Sequence, residues 1–391
     1  MKLYENESYK TQNHTKVISC ETADGKNWIQ LEDTIFFPEE GGQYADTGYL
    51  KAGEDMVRIL DGQLKNGEIF YLTDRPLEAG CQVDCVLDWE MRFMRMQQHT
   101  GEHILTGVIH NHFGYNNVGF HLSDDSPVTL DLDGMLTPEQ IAQMELLANE
   151  VVYANLPVIA SYPSREELPE IDYRSKIEID GQVRLITVGE ETDPVDICAC
   201  CAPHVARTGE VGLIKVISSQ KYKGGIRLNI LCGKRAFQYF QEQTDIVTRL
   251  ARTFSTSMDK IYGCVEGQMK EISDLKYKVS EFAGKRLADQ IAALPDAKHA
   301  CLFVEEEISA VTAKNSFNDM AARFEGYVGL FMGNDESGYR FQAGSTSLDS
   351  RELMKEMKEK LDAKGGGSSQ MVQGKTAAKK ADIQKLFDDL A

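Results

Sequence analysis

The stretch Met91–Gly114, MRFMRMQQHTGEHILTGVIHNHFG, carries apolar residues at Phe93, Met96, Ile104, Leu105, Val108 and Ile109. That is the spacing of a helix with one packed face, and Gly114 supplies a C-terminal stop. On such a helix His99 and His103 stand four residues apart on one face, about 6 Å from each other and within reach of one ion. Two imidazoles alone are equally well explained as ordinary polar side chains of a half-buried helix, so the pattern asks for more ligands.

Further donors occur downstream in DICACCAPHVARTGEVGLIKV, Asp196–Val216, where Cys200 and His204 have Cys-x3-His spacing. Thiolate and imidazole together are preferred zinc ligands, and two histidines from a helix with a Cys and a His from a turn complete a tetrahedron. The expectation is one zinc ion held by His99, His103, Cys200 and His204. Cys198 and Cys201 are chemically equal to Cys200, and only spacing separates them. The nine cysteines are an odd number without the spacing of a disulfide framework, and the crowding at Cys198, Cys200 and Cys201 points to metal chemistry. A competing pattern is His-x-x-Glu-His, in which Glu102 is the general base of a zinc peptidase. That enzyme needs a later carboxylate ligand and leaves Cys200 and His204 without a purpose.

The 391 residues suffice for two or three domains, each with its own core. Hydrophobic residues at 42% and charged residues at 26% describe an ordinary globular protein, and no apolar run approaches the ~18 residues of a membrane span. The polar, acidic start MKLYENESYKTQ is neither a secretory signal nor a transit peptide, so a cytoplasmic location is expected. A net charge of −19 argues against general affinity for polyanions. Against this background Val211–Arg235 holds Lys215, Lys221, Lys223, Arg227, Lys234 and Arg235 and no Asp or Glu, which marks a candidate phosphate-contacting segment.

From Lys16 to Val86, short alternating segments at Trp28–Leu31, Thr34–Phe37, Val57–Leu60 and Ile69–Leu72 are separated by Gly, Asp and Asn turns, the pattern of a small β-barrel. Within it FFPEEGGQYADTG, Phe36–Gly48, marks a tight turn. Strands follow at Val128–Leu132, Val158–Tyr162, Val183–Val188 and Gly212–Ser218, with a helix opened by Thr137 and Pro138, so the middle of the chain reads as α+β. No glycine loop of the Walker or dinucleotide kind occurs. Gly233–Leu294 reads as two helices broken at Ser255–Ser257, with an apolar stripe including Ile261, Met269, Ile272, Val279 and Phe282 that suits a helical hairpin or a coiled-coil contact. Beyond Pro295, strands at Cys301–Val304 and Val328–Met332, a helix at Ser350–Lys364, the cluster GGGSSQMVQG and a last amphipathic helix form a small further domain.

His99-x3-His103, Cys200-x3-His204 followed by VARTGEVGLIKV, and the upstream FFPEEGGQYADTG together resemble the editing domain of alanyl-tRNA synthetase and the free-standing AlaX trans-editing proteins. Gly365–Gly374 is similar to the synthetase's glycine-rich C-terminal domain, which marks the long AlaX form. The resemblance implies an α+β protein with an N-terminal glycine-motif β-barrel (1–88), a zinc-containing α+β editing domain (89–235), a long helical connector (236–294) and a small α/β C-terminal domain for tRNA binding or oligomerisation (295–391). It implies an aminoacyl-tRNA deacylase that removes serine or glycine from alanine-specific tRNA, with zinc on the four residues above. By the same resemblance Gln43 and His121 are candidate catalytic residues, and Gly41, Gly42 and Phe120 candidate substrate contacts; Glu102, from its place before His103, is a further catalytic candidate. The six basic residues would meet tRNA phosphates, and a homodimer would form through the connector or the C-terminal domain. Three positions depart from the family: Glu40 stands where the first of three glycines is usual, Cys200–His204 reads Cys-Cys-Ala-Pro-His rather than Cys-Gly-Gly-Thr-His, and Glu102 precedes the second helical histidine.

Overall fold

The computed structural model describes residues 1–175 and 181–390; residues 176–180, inside the expected 89–235 domain, and residue 391, the last of the expected 295–391 domain, lie outside the described residues. The chain forms two compact units, Met1–Ile246 and Val247–Ala391. The expected barrel and editing portions therefore share one unit, and the boundary falls inside the expected connector.

In the first unit β1 (Gln12–Ala23), β2 (Lys26–Leu31), β3 (Gly48–Ala52), β4 (Asp55–Lys65), β5 (Glu68–Thr73) and β6 (Gln82–Leu87) close into a barrel in the order β1-β2-β5-β4-β3-β6. Alternation along the strands turns Val17, Ile29, Leu50, Val57, Ile59, Tyr71 and Val83 into one core. Asp24-Gly25 and Asn66-Gly67 have φ of 52° and 72°, and of 53° and 83°. These are the paired left-handed residues of two-residue hairpins, and they set the β1–β2 and β4–β5 registers. The Thr34–Phe37 segment is not a strand of this barrel, contrary to its apolar pattern. Its polar groups are met by side chains instead: Phe36 N–H donates to Thr34 Oγ1, Phe37 N–H to Asp46 Oδ2, and Tyr71 Oη–H to the Phe36 carbonyl.

Helix α1 (Trp89–Phe113) starts where Asp88 accepts a hydrogen bond from Met91 N–H and stops at Gly114, whose φ is 71°. It is followed by β7 (Asn117–His121), β8 (Val128–Leu132) and α2 (Pro138–Ala154), the last opened by a capping box of Thr137 and Gln140. Next come β9 (Val158–Ser161), β10 (Leu185–Glu190), β11 (Asp193–Ala199), β12 (Ile214–Tyr222), β13 (Gly225–Cys232) and α3 (Gly233–Thr253). Two antiparallel sheets, β11-β10-β9 and β12-β13-β8-β7, result. Helix α1 is buried from Arg92 to Ile109 on almost every side, because α2 and both sheets pack around it.

The second unit contains α4 (Ile261–Ala292), β14 (Ala300–Val304), α5 (Ala310–Arg323), β15 (Val328–Asn334), β16 (Gly338–Gly344), α6 (Ser350–Leu361), β17 (Lys364–Gly367), β18 (Met371–Thr376) and α7 (Lys380–Asp388). Its sheet runs β14-β15-β16-β18-β17, with β14 and β15 parallel across the α5 crossover. The helix break falls where expected, with Ser255 at φ 49° between α3 and α4. One expectation is corrected here. The helix expected to reach Lys364 ends at Leu361, because Asp362 turns left-handed at φ 45°. The glycine cluster is a β17–β18 hairpin, in which a Cβ on Gly365 would lie 2.2 Å from the Gln373 carbonyl oxygen. Along α4, Ile261 is buried, but Met269, Ile272, Val279 and Phe282 are exposed. No helix among the described residues is long and apolar enough to cross a membrane.

The link from barrel to α1 is ionic. Arg92, fully buried, holds Asp46 through Nε at 3.1 and 3.0 Å and through Nη2, and also donates to the carbonyls of Ser8 and Ile35. Asp46→Ala leaves that guanidinium buried without its counter-charge, so a loss of about 3–5 kcal/mol is expected. Denaturant unfolding followed by tryptophan fluorescence measures it, since Trp28 and Trp89 both lie in the first unit.

Candidate metal and active site

His99 and His103 project from one face of α1, and their ring centroids are 5.3 Å apart. The loop after β11 brings His204 to within 4.8 Å of the His99 ring and 4.7 Å of the His103 ring. Cys200 Sγ lies 3.6 Å from His99 Nε2 and 3.3 Å from His204 Nε2. Tetrahedral zinc bonded to one sulfur and three nitrogens at ordinary lengths would separate such atoms by about 3.6 Å. One donor atom from each of His99, His103, Cys200 and His204 lies within 4.8 Å of the other three. The structure thus brings together all four residues expected to hold a metal, and their donor set fits zinc.

Each imidazole is oriented through its other nitrogen. His99 Nδ1 is 2.8 Å from Gln43 Oε1, His103 Nδ1 is 2.9 Å from Asp196 Oδ2, and His204 Nδ1 is 3.0 Å from Thr100 Oγ1. Asp196 is itself held by Arg174 Nε at 2.7 Å, and Arg174 Nη2 donates to Thr106 Oγ1. Gly107, one turn beyond His103, makes this approach possible: a Cβ there would stand 2.5 Å from the Val195 carbonyl oxygen of β11. Arg184 donates to the carbonyls of Cys200, Ala202 and Glu5, and so ties the ligand loop to the N-terminal segment.

Electrostatics separates the three clustered cysteines. Burial opposes a thiolate at Cys200, but the facing His99 and His204, with hydrogen bonds from His103 and His204, bring its pKa well below the ordinary thiol value. Burial pushes Cys198 up to about 11 and raises Cys201 as well. Since the thiolate is the metal-binding form, Cys200 is the distinguished member. Burial pushes His204 down to about 3, toward the neutral form that a ligand needs. Burial also opposes charge on His103, yet Cys198, Asp196 and Cys200 hold its pKa above the usual histidine value.

The remaining candidates occupy different places. Gln43 is fully buried behind His99 and orients it. Glu102 is buried, with Oε1 accepting from Asn117 Nδ2 and Thr106 Oγ1, and with Oε2 3.9 Å from His103 Nε2. The Phe120 ring lies against His99 at 4.8 Å, whereas His121 is exposed and packs edge-on against Tyr44. Gly41 and Gly42 are exposed, and Gly42 allows the Phe120 carbonyl a close approach, since a Cβ there would lie 2.6 Å from that oxygen. On the other side of Asp196, a cleft of about 520 Å³ is lined by Arg174, Asp172, Glu170 and His110.

The basic segment is not a free cationic face. Lys215 pairs with Glu145, Arg227 forks onto Asp131, Lys234 pairs with Glu90, and Arg235 donates to the carbonyls of Ser123 and Ser126. The compensating acids come from other elements and are invisible in the segment itself. Lys221 and Lys223 are exposed near the β12–β13 turn. Spacing did not indicate Thr100, Arg174, Arg184 or Asp196; the only available signal was that a metal-bound histidine needs an acceptor for its second nitrogen. Cys200→Ala is expected to abolish retention of one zinc per chain, measured by metal analysis after dialysis against a weak chelator. Cys201→Ala should retain the zinc, and Asp196→Asn should weaken binding about 10- to 100-fold.

Residues 183–229 match the model of the threonyl and alanyl tRNA synthetase second additional domain. The alanyl-tRNA editing protein AlaX-L of Pyrococcus horikoshii is 26% identical over 98% of this chain and 96% of its own length. The alanyl-tRNA editing protein Aarsd1 of Danio rerio is 26% identical over 92% of this chain and 88% of its own. The alanine–tRNA ligase of Pyrobaculum arsenaticum is 28% identical over 94% of this chain, which spans only 41% of that enzyme. The resemblance first carried by a few motifs thus extends along nearly the whole chain: it is similar end to end to free-standing alanyl-tRNA editing proteins, and to part of the alanine–tRNA ligases.

Proposed function

We propose that the protein is a trans-editing hydrolase that cleaves the ester of alanine-specific tRNA wrongly charged with serine or glycine, with one zinc ion on His99, His103, Cys200 and His204. The observation that carries this reading is the convergence of those four donors beside the glycine turn of a barrel, in a chain similar over 98% of its length to an alanyl-tRNA editing protein. A role on charged tRNA would place it in the cytoplasm.

Bound zinc would supply Lewis-acid polarisation of an acyl oxygen or a water. The protein's own groups do the rest. Gln43, Asp196 and Thr100 keep the three imidazoles in the tautomer that turns Nε2 to the common centre. Glu102 Oε2, 3.9 Å from His103 Nε2, is the group that accepts the proton of the attacking water, which then passes to the departing ribose oxygen as free amino acid is released. The Phe120 ring and the Gly41–Gly42 turn wall the acyl side. A polar pocket that bonds a serine hydroxyl gains nothing from alanine's methyl, and such selection reaches about 10⁴ or more. The peptidase reading is disfavoured because the remaining donors are a thiol and an imidazole rather than a carboxylate.

Release of serine from seryl-tRNA, with alanyl-tRNA spared, is the expected result in a deacylation assay. His103→Ala should abolish it together with zinc binding. Glu102→Gln should lower kcat by about 10²–10⁴-fold with zinc retained. Reversal of Lys221 and Lys223 to Glu should raise KM for charged tRNA. Release from alanyl-tRNA only, or none from any charged tRNA, would sink the proposal. The exposed apolar stripe of α4 would join two copies, and light scattering of the full chain should then read twice 43.7 kDa. A mass of one chain at all concentrations would exclude the pairing.

A further inference from the structure

The turn beside the four donors carries a charge that the family motif does not explain. Gly41 and Gly42 have φ of 61° and 83°, Gln43 N–H donates to the Glu40 carbonyl at 3.0 Å, and Glu40 N–H returns a bond to the Gln43 carbonyl at 3.2 Å. This is a two-residue hairpin turn of the paired left-handed type, in which the flanking residues are directly opposed. Opposed residues project from one face of the ribbon. Gln43 on that face reaches His99, so Glu40 points to the same side, where its carboxylate meets the Cys201 thiol next to the ligand Cys200. A Cβ on Gly41 would lie 3.8 Å from Cys201 Sγ, which places the turn directly over the ligand loop.

Three polar atoms of this wall are buried with no hydrogen-bond partner among the described residues: Glu40 Oε2, Gln43 Nε2 and Tyr4 Oη. Tyr4 and Gln43 are fully buried, and Tyr4 packs with Phe37, Ala202, Cys200 and Cys201. Buried polar groups in native proteins are almost always satisfied, so three such atoms in one wall call for a partner beyond the chain's own groups. Gly41 and Gly42 are exposed beside it, so a group arriving over the turn meets no side chain from those positions before the carboxylate. An acceptor-only anion calls for a cationic donor.

We propose that Glu40 receives the α-ammonium group of the aminoacyl ester, so that the site reads its substrate as an amine as well as an ester. The inference rests on the hydrolase reading for its ligand but not for its test. Glu40 stands where the first of three glycines is usual in the family motif.

The probes are the non-hydrolysable seryl amide of 3′-amino-3′-deoxyadenosine and its counterpart with an α-hydroxyl in place of the α-amine, titrated calorimetrically into the zinc-loaded full chain. The wild type should prefer the amine by about 10- to 100-fold, the worth of a hydrogen bond between charged groups. Glu40→Gln should erase that preference, leaving affinity for the hydroxyl probe and zinc content unchanged, and Glu40→Gly should do the same. A preference that persists in both variants, an equal loss for both probes, or a wild type that does not discriminate overturns the inference. A wild type that prefers the amine but releases nothing from charged tRNA would instead leave Glu40's role standing and remove the hydrolase reading.

Discussion

Three imidazoles share one cation only if each turns the same nitrogen to it, and here that requirement is met by hydrogen bonds at the opposite nitrogen. Gln43, Asp196 and Thr100 each hold one Nδ1, and they come from the barrel turn, from β11 and from α1 itself. The candidate metal site is therefore also a junction of the first unit. Barrel, central helix and second sheet each contribute a group without which a ring would be free to rotate. The buried Arg92–Asp46 pair fixes the same helix to the same barrel a few turns earlier, so the position of Gln43 relative to His99 is held twice.

This arrangement explains why the helix is so heavily buried and still carries polar residues. Arg92, Arg95, Gln97, Gln98, His99, Thr100, Glu102, His103 and Thr106 are all buried, and each has a partner on another element or within the helix. Fully satisfied networks of this kind rigidify a site and position its groups; partly satisfied ones are costly. Three of the buried atoms left without a hydrogen-bond partner among the described residues, Glu40 Oε2, Gln43 Nε2 and Tyr4 Oη, lie near the glycine turn.

The acidic balance of the chain has a local counterpart. The segment with no acids of its own meets them in space, as Lys215, Arg227 and Lys234 are neutralised by Glu145, Asp131 and Glu90. What reaches solvent is a narrower cationic point at Lys221 and Lys223 than the linear pattern indicated. Charge counted along a chain measures composition, whereas the field at a surface depends on which partners folding supplies.

Local chemistry was enough to read the hairpin turns, the Thr137 cap, the Gly114 stop of α1 and the pairing of His99 with His103, because each depends on residues a few positions apart. It was also enough to nominate Cys200 and His204, since few side chains bind zinc and their spacing is short. Only the tertiary structure decided that Cys200 is the cysteine grouped with all three histidines while Cys198 lies beside His103 and Asp196, that Gln43 serves His99, and that Asp196 serves His103. Those choices depend on which strand and which turn fold against α1, and glycines at 42 and 107 set how near they come. Thr34–Phe37 was misjudged, and the glycine cluster left unassigned, for the same reason. An apolar run becomes a strand only when a neighbour offers a free edge, and a glycine run becomes one when another strand approaches too closely for a side chain.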